Sequence, residues 1–85
     1  MSGKDQQIRR DWAIFNPRTG LYTGTAPTRS EAIAQHVWAF DRELFDAGYP
    51  TYCRALNDKQ RACWKERRKH GDAAVRVIVA TEAPA

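Results

Sequence analysis

Two short apolar runs lie near the start of the chain and a third lies near its end. Asp11-Trp12-Ala13-Ile14-Phe15 is aromatic and β-branched, and Leu21-Tyr22-Thr23-Gly24-Thr25 has the same character. Both read as strands. The residues between them, Asn16-Pro17-Arg18-Thr19-Gly20, carry turn chemistry: Asn favours the first position, Pro17 presets φ to about −65°, and Gly20 supplies a positive φ. The pattern predicts a β-hairpin. Towards the end, Val75, Val77 and Val79 alternate with Arg76 and Ile78 inside the run Ala73 to Ala80, the strongest strand signal of the three.

Between these runs the period changes from two to that of a helix. Ile33, Val37, Phe40 and Leu44 are spaced 4, 3 and 4, one face of an α-helix, and Trp38 and Phe45 widen the stripe. Thr28-Arg29-Ser30-Glu31 has the spacing of a capping box. Gly48 suits the position after a helix end, and Pro50 forbids continuation. One helix is predicted over 29–47, with Asp41, Glu43 and Asp46 alternating with Arg42 and pointing outward. A second is predicted over 58–70, with Asn57 as N-cap, Asp58 in the first turn, Gln60 at the capping-box position and Gly71 as terminator. Its apolar positions are few: Ala62, Cys63 and Trp64.

The order β-β-α-α-β defines an α+β class. The simplest packing is a three-stranded antiparallel sheet, made of the hairpin plus the C-terminal strand, with two helices on one face. A lone hairpin is marginal, so the last strand must return to it, most simply beside the first strand. Trp12, Ile14, Val75, Val77 and Val79 would then meet Ile33, Val37, Phe40, Leu44 and Trp64. Ala13, Phe15, Arg76 and Ile78 would face away. Trp12 and Phe15 cannot both point inward.

The chain of 85 residues suits one domain, expected over 8–80, with 1–7 and 81–85 read as disordered tails. No apolar run reaches membrane-spanning length, and the polar N-terminus lacks the apolar stretch of a secretory signal. The expectation is a cytoplasmic protein with no membrane contact. In that compartment Cys53 and Cys63 read as small apolar core residues rather than as a disulfide. The net charge of +4 permits an acidic partner without requiring one.

The run Trp12 to Tyr22 resembles the opening of small uncharacterised proteins encoded by bacterial prophages and phages. Arg29-Ser30-Glu31-Ala32, the Trp64 of the second helix and the closing Val75-Arg76-Val77 resemble them too. The resemblance implies no activity and transfers no functional residue.

No nucleophile, base and orienting group come together in the sequence, so no enzymatic activity is expected. His36, Cys53, Cys63 and His70 lack the spacing of paired zinc ligands, and no cofactor or small-molecule motif stands out. His36 reads as a partly buried structural histidine. Two surfaces remain. The basic second helix offers Lys59, Arg61, Lys65, Arg68 and Lys69 as candidate nucleic-acid contacts. The sheet face without helices offers Phe15, Arg76 and Ile78 as a candidate face for a protein partner or a second copy. The leading expectation is a non-enzymatic interaction module using that sheet face; the alternative is a nucleic-acid-binding module using the basic helix.

Overall fold

The computed structural model describes residues 6–82. The elements are β1 (Gln6–Asn16), β2 (Leu21–Ala26), α1 (Arg29–Val37), a 3-10 turn (Trp38–Phe40), α2 (Arg42–Asp46), α3 (Asp58–Lys69) and β3 (Ala73–Glu82). The α+β class and the element order follow the sequence pattern. One antiparallel sheet has the strand order β2-β1-β3, with β3 beside the first strand. β1 and β3 pair from Gln6 opposite Glu82 to Phe15 opposite Ala73. The ladder therefore takes in Gln6, Gln7, Thr81 and Glu82; the rest of the expected tails, 1–5 and 83–85, lies outside the described residues. No described helix is long and apolar enough to cross a membrane.

The hairpin closes as its residues dictate. The Asn16 carbonyl accepts from the Gly20 amide at 2.8 Å, the Asn16 side chain accepts from the Arg18 amide at 2.9 Å, and Gly20 sits at φ 70°. Further along β2 the register slips. Trp12 faces Ala26 and Ile14 faces Thr23, so Ala13 alone on β1 opposes Gly24 and Thr25 on β2. Gly24 adopts φ 52° to absorb the extra residue, as a β-bulge requires. Opposed residues share a sheet face, so the bulge turns Ala26 onto the side of Trp12 and Ile14, where it is buried.

That side carries the helices. Ile14, Ala26, Ala32, Ile33, Val37, Leu44 and Trp64 form the buried cluster, and Trp12, Leu56, Cys63 and Ala74 pack against it. Cys53 and Cys63 are both free thiols, buried and half-buried; burial is the main cause that pushes each thiol up from its ordinary pKa.

Two expectations are corrected. The helix predicted over 29–47 is broken: α1 gives way to the 3-10 turn, and Asp41 is extended at φ −137°, ψ 131°. The Asp41 carboxylate accepts from the Leu44 amide at 3.2 Å and so caps α2. An Asp in that role starts a new helix instead of continuing the old one. Leu44 still reaches the core, but Phe40 is left half exposed. The phase of β3 is also reversed. Ile14 faces Ala74 and Trp12 faces Arg76, whereas Ala13 faces Val75 and Asp11 faces Val77. Ala74, Arg76 and Ile78 therefore lie on the helix side, and Val75, Val77 and Val79 lie on the opposite side with Asp11, Ala13 and Phe15, where Asp11 and Ala13 are almost fully buried. The small Ala74 is the β3 residue that packs against the core cluster.

Candidate nucleic-acid interface

The two ends of α3 are fixed by their own residues. Asn57 accepts from the Gln60 amide at 2.8 Å while the Gln60 side chain accepts from the Asn57 amide at 2.9 Å, a full capping box. Gly71, at φ 100°, ends the helix. In between, Trp64 points into the core and is only 6% exposed, which sets the rotation of the helix. The side chains flanking it separate into two rows at helical spacing.

One row is Lys59, Cys63 and Arg67, facing the 3-10 turn and α2. Lys59 Nζ lies 3.5 Å from Asp41 and 3.7 Å from Glu43. Cys63 Sγ donates to the Val37 carbonyl at 3.9 Å. The Arg67 guanidinium stacks over Phe40 at 4.0 Å and donates to Asp72 at 3.1 Å. The cations of this row are committed within the fold.

The other row is Arg61, Lys65, Arg68 and Lys69. These four surround an open groove of about 610 Å³ together with Leu56, Trp64 and Arg29 of α1. Arg61 is tied to Asp58 and donates to the Leu56 carbonyl at 2.8 Å, and Lys69 lies 3.4 Å from Glu66. Arg29, Lys65 and Arg68 enter no ion pair among the described residues. Four of the five cations expected to act together are thus brought together, and Lys59 is not. Arg29 was missed, because in sequence it reads only as the residue after the Thr28 cap. The helix dipole accounts for Arg68 and Lys69, which sit in the last turn of α3. It runs against Arg29, the first residue of α1, where a cation is disfavoured.

Behind α3 lies a polar hub. Asp72, 5% exposed, accepts from Asn16 Nδ2 at 2.7 Å, from Arg67 Nε at 3.1 Å, and pairs with His36 Nε2 at 2.8 Å. His36 Nδ1 in turn meets the Thr23 hydroxyl at 3.2 Å. The hub joins β1, β2, α1, α3 and the start of β3, so His36 has the structural place expected of it. Burial pushes the Asp72 carboxyl up, but the hydrogen bonds from His36, Asn16 and Arg67 outweigh it and hold the group below the usual carboxylate range.

The candidate sheet face is not brought together. Phe15 is on the side opposite the helices, its ring tilted 39° against Tyr22 with ring centroids 4.7 Å apart. Arg76 and Ile78 are on the helix side. Arg76 lies over the Trp12 ring at 5.1 Å, and Ile78 is exposed. Among the described residues no group of three or more His, Cys, Asp or Glu side chains gathers at metal-binding distance.

No protein-family model matches the chain, and no curated protein or solved structure matches it.

Proposed function

We propose that this domain is a nucleic-acid-contacting module that grips the phosphate backbone of a duplex through the groove between α3 and the start of α1. The observation that carries the reading is the convergence of Arg29, from a separate element, on Arg61, Lys65, Arg68 and Lys69 around one groove, with Arg29, Lys65 and Arg68 unpaired among the described residues. Phosphate neutralisation of this kind is tolerant of sequence and sensitive to salt. Trp64 favours a duplex over a single strand. Its ring is buried beneath the groove, so it offers no platform on which unpaired bases could stack. The resemblance to phage-encoded proteins adds no residue to this reading.

Fluorescence anisotropy with a labelled short duplex tests it. Full engagement of the five cations gives a slope of log K against log salt of about −4 to −5. The double reversal Lys65→Glu, Arg68→Glu abolishes binding, while Lys59→Glu, outside the groove, changes it little. Binding that ignores salt, or equal losses in the two variants, would overturn the reading.

A further inference from the structure

We propose that two copies of this chain pair along β3, joining their sheets into one six-stranded antiparallel sheet around a two-fold axis at Val77. β3 is the outer strand of the sheet, so its outward backbone groups have no strand partner among the described residues. A long apolar edge is a template for another strand, and monomeric proteins blunt such edges with Lys, Pro, bulges or short length. β3 lacks Lys, Pro, a bulge and short length, and its charges are confined to Arg76 and the terminal Glu82. It is ten residues long and pairs with β1 without a register shift. Its one cation, Arg76, is drawn back over Trp12.

The occupant follows from self-complementarity. A two-fold axis normal to the sheet leaves both helix layers on the same side and matches odd positions with odd ones, because opposed residues share a face. Centred on Val77, the pairing sets Val77 against its own copy and Val75 against Val79 of the second copy. All six valines then meet in one stripe on the side opposite Ile14 and Trp12. On the helix side Arg76 faces Ile78 of the second copy. Centring on Arg76 would oppose two like charges, and centring on Ile78 would take Val75 away from the valine stripe. Val75, Val77 and Val79 are only half-buried in the single chain, and pairing gives each a new apolar neighbour.

Sedimentation equilibrium of the full chain without nucleic acid should show a dimer that dissociates on dilution. Val77→Lys puts two ammonium groups face to face and weakens association at least about tenfold, with the far-UV circular dichroism of the parent. A second variant does not depend on that one folding. Directly opposed Cα atoms in an antiparallel pair are about 4.5–5.5 Å apart, inside the disulfide range of about 4.4–6.8 Å. Val77→Cys should therefore oxidise to a dimer linked through the introduced thiols, as peptide mapping would show, and Val75→Cys should not. A monomer at every accessible concentration overturns the proposal, as does a dimer indifferent to Val77→Lys. Equal cross-linking of the two cysteine variants overturns the register. None of these readouts involves nucleic acid, so they stand apart from the groove.

Discussion

Removing the Asp72 carboxylate should be strongly destabilising, because it is the shared acceptor of the hub. In Asp72→Ala three donors lose their acceptor at once. His36, with a side chain 10% exposed, cannot turn to water; a buried donor left unsatisfied costs about 1–3 kcal/mol. Arg67, 23% exposed, keeps its stacking on Phe40 and reaches solvent, so its loss is partial. Asn16 keeps its bonds to the His70 carbonyl and the Arg18 amide. The sum is about 3 kcal/mol, at the lower edge of what breaking a buried charged pair costs. For a domain of this length that lowers Tm by roughly 12–24 °C, a large share of a total stability of about 5–15 kcal/mol. Thermal and urea unfolding followed by circular dichroism would measure it. His36→Ala combined with Asp72→Ala should cost less than the two singles added, because the second change removes a partner already lost. A loss below about 1 kcal/mol, or strict additivity of the pair, would refute the view that Asp72 ties the layers together.

Acid should act through the same residue. The folded Asp72 carboxyl titrates below its unfolded value of about 3.9, so its contribution is complete above that pH and is lost as pH falls through the folded value. Asp41 shifts the same way: partial burial pushes it up, and hydrogen bonds from the Leu44 and Glu43 amides together with Lys59 more than offset this. Urea midpoints should be level near neutrality and fall below about pH 4, and Asp72→Asn should flatten part of that fall; an unchanged profile would remove Asp72 from the account. Gly24→Ala tests the bulge: at φ 52° with nothing within 4 Å of an added Cβ, the cost is backbone strain alone, about 1–2 kcal/mol, and a neutral substitution would show that β2 does not need the left-handed residue.

The class and order of elements were legible because each element carries its own local signal: turn residues at 16–20, a capping box at Asn57, glycine at the ends of helices. What was hidden depends on contacts between elements. The break at Asp41 hides inside an apolar stripe that continues across it, since Ile33, Val37 and Leu44 all reach the core despite the kink; only the N-cap chemistry of Asp41 could have marked it. The phase of β3 is unreadable from its alternation because both of its faces are mostly apolar. Packing decides it through a small residue, Ala74, and through Arg76 settling on Trp12. The groove was half visible. Helical spacing put Arg61, Lys65, Arg68 and Lys69 on one side, but which cations are neutralised, and that Arg29 joins them, depends on how α1 and α2 lie against α3. Asn16 reads as a turn residue and proves to close β1 with a second duty in the hub, while Asp72, just before β3, gives no sign of that role in the sequence.

The β-ladder outruns the rest of the molecule. β2 pairs with β1 only from Trp12 onward, while β1 and β3 continue together as far as Gln6 and Glu82, and Ile8, Arg9, Arg10 and Ile78 are exposed along that stretch. Stability is therefore graded along the strands. Amides around Ile14 should exchange with solvent only when the whole domain opens, and those of Ile8 to Arg10 by local fraying at lower cost, as hydrogen-exchange measurements would show. Arg9 is the exception within that stretch: its guanidinium donates to the fully buried Asp11 carboxylate at 2.9–3.0 Å, so the exposed Ile8 and Arg10 can change with less cost to the fold than Arg9 can.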